Sequence, residues 1–313
     1  MHLRAGPRRG DTAAQTGPKL GVVAETQRVQ LPNGIGLTVS DQGEGPVVLL
    51  NPGMGMPQTT WQFTGVPQGL LEAGFRVISY SARGVTGSDA PPPPYDVPTM
   101  AQDAALLLDH CGVDEAILVG YSMGCYVTQA LLELRPGLAR GVVLCAGLAS
   151  SEIGRLVNEM ELELIERLGE LPAAVAAFET LITTLPTAQL QDAETVRVWK
   201  DMLLNGPASW TSPDGRHGQL AASQSWMVAG EPTRERLAAI EAPTLVIAYE
   251  QDLFFPPKTS LAAAEMIPNA QFVAVNGLAH GGLMLDPDRT ATVRIVDFCR
   301  RIRSGDRPTR GRA

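Results

Sequence analysis

The pentapeptide Gly-Tyr-Ser-Met-Gly at residues 120–124 constrains the fold of this chain more than any other segment. It follows the apolar run Ala-Ile-Leu-Val at residues 116–119 and leads into residues 123–134, whose composition favours a helix. The sequence therefore predicts a buried strand, a sharp turn and a helix, with Ser122 on the turn. A glycine two residues to either side of this serine lets neighbouring backbone pass closely. The pattern indicates a reactive hydroxyl and leaves the reaction open.

Short apolar runs and helical patterns alternate along most of the chain. This alternation predicts an α/β fold, in which a doubly wound, mostly parallel sheet carries helices on both faces. The expected strands are residues 47–50, 76–80, 116–120, 141–146, 243–249 and 270–275, and the expected helices are residues 58–72, 97–111, 123–134, 257–266 and 288–303. Pro32-Asn33-Gly34 separates residues 27–31 from 35–39, which predicts a hairpin at an antiparallel edge.

The alternation stops between residues 150 and 241, where the pattern is helical and no convincing strand occurs. The expected helices there are residues 153–168, 173–183, 188–204 and 218–228. An insertion at this point is expected above the carboxyl edge of the sheet, where ligands bind, so we interpret it as a cap. A helical subdomain without substrate contact is the alternative. The predicted organisation is a disordered leader (1–24), an α/β core (25–149 and 242–303), the cap (150–241) and a disordered tail (304–313).

Charge and cysteine content narrow the range of partners. A net charge of −8 and a pI near 5.1 disfavour a nucleic-acid-binding surface. No segment has the length of a membrane span, and the N-terminus lacks the apolar stretch of a secretory signal. The excess of arginine over lysine suggests a GC-rich bacterial genome. Reduced thiols in a cytoplasmic protein are expected, because the cysteines lie in or beside apolar segments without paired metal spacing. They are Cys111, Cys125, Cys145 and Cys299.

Ser122 needs a general base, because a serine hydroxyl is a weak nucleophile on its own. The chain has four histidines. His2 lies in the predicted leader, His110 ends a predicted helix, and His217 falls in the predicted cap. His280 lies in a glycine-flanked loop between the last predicted strand and the final helix, at the expected carboxyl edge of the sheet. His280 is therefore the predicted base, with a purely structural role as the alternative.

An orienting carboxylate is expected beside the imidazole, since it fixes the tautomer and stabilises the imidazolium. Asp252 follows the apolar strand at residues 244–248 and completes the chain order Ser, Asp, His. Glu250 is the competing candidate, although it stands close to the strand end. Asp286 and Asp288 are better placed to cap the last helix. Asp252 is the predicted acid.

A tetrahedral intermediate also requires hydrogen-bond donors for its oxyanion. One expected donor is the backbone N–H of Met123, directly after the nucleophile. The other is the N–H of Met54, in the segment Asn-Pro-Gly-Met-Gly (51–55) that follows the strand at residues 47–50. The alternative is that Gly53 and Gly55 merely form a tight turn.

These motifs together resemble the α/β-hydrolase superfamily over residues 27–303. Residues 80–89 (Tyr-Ser-Ala-Arg-Gly-Val-Thr-Gly-Ser-Asp) are similar to the family's Arg-Gly-X-Gly-X-Ser loop, and residues 242–247 (Ala-Pro-Thr-Leu-Val-Ile) match the stretch that leads to its acid. The chain departs from the family at Pro52-Gly53, where His-Gly is usual. The resemblance implies a capped, esterase-like serine hydrolase that uses Ser122, Asp252 and His280 and needs neither a metal nor another cofactor.

A serine at position 122 argues against the branches of that family that use an aspartate nucleophile, the epoxide hydrolases and haloalkane dehalogenases. We expect acyl transfer through a Ser122 acyl-enzyme. The expected substrate is a small, largely apolar ester, thioester, lactone or carbon–carbon acyl compound, with water as the default acceptor and a role in bacterial secondary metabolism as one expectation. Two other functions stay open: a biosynthetic acyltransferase or cyclase with the same triad, and a slow-turnover ligand-sensing protein.

Large apolar side chains of the cap and of the loops below it are candidates for the substrate pocket. Any one of them can instead be a core residue, because most helical hydrophobics are. The candidates are Trp61, Tyr121, Leu181, Trp199, Trp210 and Trp226. Cationic side chains are few in the cap, which disfavours a highly anionic substrate. The sequence does not indicate an oligomeric state.

Overall fold

One sheet of eight strands organises the computed structural model, which describes residues 25–305. The strands are β1 (Gln27–Gln30), β2 (Gly36–Gln42), β3 (Val47–Asn51), β4 (Arg76–Tyr80), β5 (Ala116–Tyr121), β6 (Ala139–Cys145), β7 (Thr244–Tyr249) and β8 (Ala270–Val275). Their order is β1-β2-β4-β3-β5-β6-β7-β8, with the pairs β1–β2 and β2–β4 antiparallel and the other pairs parallel. The predicted mostly parallel α/β sheet is confirmed. The predicted leader and the predicted tail beyond Gly305 lie outside the described residues.

Strands β1 and β2 form the predicted hairpin at one edge of the sheet. The Leu31 N–H donates to the Ile35 carbonyl at 2.8 Å, and Gly34 between them has a φ of +86°. This left-handed conformation is strained for most residues with a side chain, so glycine suits the turn.

The helices divide between the core and a block that connects β6 to β7. The core helices are α1 (Trp61–Thr64), α2 (Val66–Glu72), α3 (Val97–His110), α4 (Gly124–Leu134), α11 (Pro257–Ala264), α12 (Gly282–Leu285) and α13 (Thr290–Ser304). The block consists of α5 (Glu152–Leu168), α6 (Ala173–Thr184), α7 (Thr187–Leu190), α8 (Ala193–Asn205), α9 (Pro213–Val228) and α10 (Arg234–Ala238). It lies where the cap was predicted, and we call it the cap below. Across residues 25–305, no helix combines the length and apolarity needed to cross a membrane.

Two of the central strands, β5 and β7, are buried along their whole length, because helices cover both faces of the sheet. All six residues of β5 are buried, as are all six of β7. Successive side chains of a strand face opposite sides of the sheet. Accordingly, Leu118 packs in one core cluster with Leu107 and Leu131. The next residue, Val119, packs with Phe298 in the cluster on the other face.

Two predicted helices are each divided in the structure. The helix expected at residues 58–72 is interrupted by Gly65, whose φ of +73° is incompatible with a continuous helix. The helix expected at residues 188–204 is divided at Asp192, whose carboxylate accepts the Thr195 N–H at 2.8 Å and so begins α8. Local capping decides both boundaries, although apolar periodicity continues across them.

Candidate active site

Ser122 lies on the turn between β5 and α4 in a strained conformation. Its φ is +52°, which is uncommon for a residue with a side chain, and its N–H donates to the Cys145 carbonyl at 2.9 Å. The flanking glycines permit this turn. A Cβ at Gly124 would lie 2.1 Å from the Asn51 carbonyl oxygen, and one at Gly120 would lie 2.6 Å from the Gly124 carbonyl oxygen. The predicted strand–turn–helix geometry around Ser122 is therefore present.

The structure brings Ser122, His280 and Asp252 together. His280 Nε2 lies 2.9 Å from Ser122 Oγ, and His280 Nδ1 lies 2.8 Å from Asp252 Oδ2. The Asp252 side chain is fully buried, and its Oδ1 accepts the backbone N–H groups of Phe254 at 2.8 Å and Phe255 at 3.0 Å. Because the carboxylate accepts hydrogen bonds only, Nδ1 carries the proton and Nε2 is free to accept the serine proton.

Core and cap together hold the His280 loop. The His280 carbonyl accepts a hydrogen bond from the Tyr121 hydroxyl at 2.6 Å, and the His280 N–H donates to the Thr183 carbonyl of α6 at 3.2 Å. The imidazole stacks between Tyr121 and Phe255, at centroid distances of 5.7 and 5.6 Å, and meets the edge of Phe254 at 5.3 Å. Tyr121, predicted as a pocket residue, thus contacts His280 through both its ring and its hydroxyl.

The surroundings of His280 favour its protonated form. Burial by itself lowers the pKa of the imidazole. The charge and hydrogen bond of Asp252, together with the charge of Glu179 in the cap, outweigh this effect and raise the pKa of His280 above its ordinary value. These carboxylates therefore stabilise the imidazolium that a general base becomes during the reaction.

The other carboxylates weighed from the sequence occupy structural positions. Glu250 Oε2 accepts the Gly277 N–H at 2.7 Å in an exposed turn. Asp286 accepts the N–H of Asp288 at 2.9 Å and that of Thr290 at 2.6 Å, where α13 begins. In the structure, the carboxylate that contacts His280 is Asp252.

The two predicted oxyanion donors flank the nucleophile. Met123 follows Ser122 directly, and Met54 follows Gly53, where a Cβ would lie 3.2 Å from Ser122 Cβ. Neither the Met54 nor the Met123 N–H has a hydrogen-bond acceptor within the described chain. Two unpaired backbone donors beside a serine hydroxyl are suited to an oxyanion.

Gln219 of the cap, which the sequence did not indicate, holds the loop that carries Met54. Its Oε1 accepts the Gly55 N–H at 3.0 Å, and its Nε2 donates to the Arg83 carbonyl at 2.7 Å. Arg83 in turn makes a buried bidentate pair with Asp103, with distances of 2.6 and 2.7 Å. The motif at residues 80–89 thereby orients Gln219, which in turn holds the loop.

The tryptophans predicted for the pocket occupy different surroundings. Trp61 is fully buried in the core, with its ring edge-on to Tyr121 at 6.5 Å. Trp226 is also buried and stacks on Tyr126 at 5.7 Å. Trp210 is half-buried beside the predicted oxyanion loop.

A Cβ at Gly55 would lie 2.6 Å from the ring of Trp210, so this indole lies directly on the predicted oxyanion loop. Leu181 on α6 and Trp199 on α8 are half-buried within the cap. Contact of these cap residues with a substrate stays a prediction.

The thiols near Ser122 are not suited to nucleophilic attack. Burial raises the pKa of Cys125 well above its ordinary value and that of Cys145 to about 12, so both remain protonated. Within residues 25–305, no three histidine, cysteine or acidic side chains are grouped as metal ligands.

Comparisons with known proteins place these features in a family. The sequence profile of the α/β-hydrolase fold matches residues 46–287. A Mycobacterium tuberculosis protein provisionally named non-heme bromoperoxidase BpoC is 29% identical over 268 residues, which cover 84% of this chain and 98% of that protein. A provisionally named carbamate hydrolase, RutD of Azorhizobium caulinodans, is 29% identical over 265 residues, 83% of this chain and 93% of the relative.

A solved structure gives the same result at the level of the fold. An esterase from Thermogutta terrifontis superposes with a TM-score of 0.73 at 26% identity, covering 89% of this chain and 99% of that chain. The match of the family profile spans the sheet from β3 to β8 and the loops that carry Ser122, Asp252 and His280. The chain therefore belongs to the α/β-hydrolase family.

Proposed function

We propose that this protein is a serine hydrolase that cleaves a small ester through an acyl-enzyme on Ser122. The observation that carries the proposal is the continuous contact from a strained serine to a buried carboxylate. Ser122 Oγ is 2.9 Å from His280 Nε2, and His280 Nδ1 is 2.8 Å from Asp252. This arrangement activates a hydroxyl for attack on a carbonyl carbon.

In the proposed reaction, Ser122 Oγ attacks the ester carbonyl while His280 Nε2 takes the hydroxyl proton. The N–H groups of Met54 and Met123 donate to the oxyanion of the tetrahedral intermediate. As the intermediate collapses, His280 returns the proton to the leaving alcohol. A water molecule then gives its proton to His280 and attacks the acyl-enzyme, and the acid is released from Ser122. Asp252 remains ionised throughout and stabilises the imidazolium.

Packing around the predicted oxyanion loop supports a small, mostly apolar substrate. Met54 packs against a buried cap cluster formed by Ile165, Leu171, Ala176 and Leu220. Such a wall would hold the hydrocarbon part of an ester next to the reacting carbonyl. The names of the relatives agree with this substrate class, because an esterase and a carbamate hydrolase both act on a carbonyl carbon bonded to oxygen.

We also propose a reducing compartment, such as a bacterial cytoplasm, as the place of action. Cys125, Cys145 and Cys299 are free and buried, as suits a chain that does not rely on disulfides.

Labelling with a fluorophosphonate, mapped by mass spectrometry, tests the nucleophile. We expect covalent modification of Ser122 in the wild-type protein, together with loss of ester hydrolysis. The Ser122→Ala variant should be neither labelled nor active, whereas Ser225→Ala, at an exposed site on α9, should match the wild type. Unchanged turnover in Ser122→Ala would contradict the proposed mechanism.

A further inference from the structure

Three ionisable side chains converge from three different cap helices. An apolar cluster joins these helices through Ile165 of α5, Ala176 of α6 and Leu220 of α9, with Met54 packed against it. Each charged residue lies one helical turn from a member of that cluster, on the same helix face. The three residues are Glu161 on α5, Glu179 on α6 and Arg216 on α9, and we call them the cap trio.

Two members of the cap trio, Glu161 and Arg216, lack the direct pairing that buried charges normally have, whereas the Glu179 carboxylate accepts the hydroxyls of Thr180 at 3.3 Å and Thr183 at 3.4 Å. Glu161 is only 9% exposed, yet in residues 25–305 its carboxylate has no hydrogen-bond partner and no cation within 4 Å. Arg216 likewise has no carboxylate within ion-pair distance there, and its guanidinium lies over the Trp210 ring at 5.5 Å. Because burying an unpaired charge is costly, a ligand that paired with these groups would offset that cost.

The charges of the cap trio nevertheless act on one another. Burial, followed by the charge of Glu179, raises the pKa of Glu161 to about 7, and the charge of Arg216 opposes this. Burial likewise raises the pKa of Glu179 and lowers that of Arg216. The charges of the three groups therefore influence one another across the space between their helices, although no ion pair joins them.

This space adjoins the catalytic groups. Glu179 is one turn before Thr183, whose carbonyl accepts the His280 N–H at 3.2 Å, and the charges of Glu179 and His280 influence each other. On the other side, Arg216 stacks on Trp210, which lies against Gly55 of the oxyanion loop. The cap trio is therefore placed to meet a part of the substrate beyond the reacting carbonyl.

We propose that the cap trio binds a protonated amine of the substrate, so that the enzyme prefers small esters that carry an ammonium group. The proposal rests on the proposed function and names its substrate class. Two carboxylates accompany one guanidinium, so at pH values above about 7, where Glu161 is ionised, the trio has a net charge of −1 and favours a cation over an anion. An ammonium group also supplies three donors, and the Glu161 carboxylate has none among residues 25–305. Arg216 limits the excess negative charge while the site is empty.

Calorimetry on the Ser122→Ala protein tests this binding without any dependence on turnover. The probes are n-pentylammonium, 1-pentanol and pentanoate, which share one hydrocarbon chain and differ in charge. We expect n-pentylammonium to bind about tenfold more tightly than 1-pentanol, the effect of one charge-assisted hydrogen bond, with pentanoate the weakest. Equal binding of the three probes, or tighter binding of pentanoate, would overturn the proposal.

Substitutions in the Ser122→Ala background locate the effect. Glu161→Gln and Glu179→Gln should each reduce the preference for n-pentylammonium several-fold, and Arg216→Gln should increase it. Glu166→Gln, at an exposed position of the same helix α5, is the matched control and should leave the preference unchanged. A preference that survives in both Glu161→Gln and Glu179→Gln would place the cation elsewhere and refute the assignment. If one of these variants fails to fold, the other still decides the question.

The proposed function can fail independently of this inference. If the wild-type protein shows no Ser122-dependent hydrolysis of a neutral ester, the serine mechanism is refuted, regardless of how n-pentylammonium binds. Conversely, normal hydrolysis of the neutral ester combined with equal binding of the three probes would refute only the role of the cap trio.

Discussion

Gln219 of the cap and Gly55 of the predicted oxyanion loop are joined by a hydrogen bond of 3.0 Å. The same side-chain amide donates to the Arg83 carbonyl at 2.7 Å, so one buried residue links the cap to two loops of the core. The Met54 N–H, which is adjacent in the chain to Gly55, is therefore held in place by a group of the cap. Oxyanion stabilisation depends on donors that are already oriented before the reaction begins.

Replacing Gln219 by leucine should therefore impair catalysis more than binding. We expect kcat for a neutral ester to fall about tenfold, with little change in KM, because the Gly55 N–H loses its acceptor and the loop becomes less ordered. Gln224→Leu, at a half-buried position on the same helix, is the control. Steady-state kinetics on Gln219→Leu and Gln224→Leu gives kcat and KM for each variant. A rise in KM with an unchanged kcat would instead show that Gln219 positions the substrate.

Asp252 and Glu250 should differ sharply as partners of the base. Asp252→Asn should lower kcat by about 10⁴-fold, because the amide favours the wrong imidazole tautomer. Glu250→Gln should leave kcat within about threefold, since its carboxylate accepts the Gly277 N–H in an exposed turn. Parallel measurement of kcat for the two variants decides the assignment. Comparable losses in both would contradict it.

The pH dependence of hydrolysis should report the environment of His280. Its neutral form is the base, so kcat/KM should rise with pH through the pKa of His280, and the carboxylates of Asp252 and Glu179 place that midpoint above 6.5, the ordinary value. Glu179→Gln removes one negative charge, destabilises the imidazolium and should move the midpoint to lower pH. Tyr121, which also faces the ring, keeps its proton because burial raises its pKa well above the ordinary value. If Glu179→Gln leaves the midpoint of the pH profile unchanged, the charge of Glu179 does not raise the pKa of His280.

The turn at Ser122 should tolerate no side chain at Gly124. A Cβ there would lie 2.1 Å from the Asn51 carbonyl oxygen, so Gly124→Ala should reduce the free energy of unfolding by at least about 3 kcal/mol. Gly137→Ala is the control, because that glycine has a φ of +91° but open space around it, and left-handed strain alone costs about 1 kcal/mol. Urea denaturation of the two variants provides the comparison. Equal losses of unfolding free energy in the two variants would show that the backbone near Asn51 moves easily to accommodate a Cβ at position 124.

The meeting of Ser122, Asp252 and His280 was predictable because the signals of these residues are local in the sequence. Each signal marks an edge of the sheet and can be recognised from neighbouring residues alone. The signals are the glycines around Ser122, the loop position of His280 and the strand before Asp252. The eight strands of the sheet were predictable for the same reason, since each is a short run of apolar residues or half of an Asn-Gly hairpin.

Features that depend on packing between distant segments were not predictable. The bond from Gln219 to Gly55 joins residues 164 positions apart, and an isolated glutamine in a helix has no distinctive pattern. The convergence of Glu161, Glu179 and Arg216 depends on how three helices pack, whereas each residue alone resembles an ordinary surface charge. The burial of Trp61 in the core follows equally from tertiary contacts.

The two backbone groups of His280 are held by different parts of the molecule. Its carbonyl is bound by Tyr121, the neighbour of Ser122 in the chain, and its N–H is bound by Thr183 of the cap. If the cap lifts to admit substrate, the bond to Thr183 breaks, while the links from His280 to Tyr121, Asp252 and Ser122 all lie within the core and are retained. The contacts among Ser122, His280 and Asp252 are thus mechanically separable from the position of the cap, whereas the Gly55 loop is not, because Gln219 of the cap binds it. A mutation that loosens the cap should therefore alter the rate of access and the order of the Gly55 loop while these three residues stay in contact.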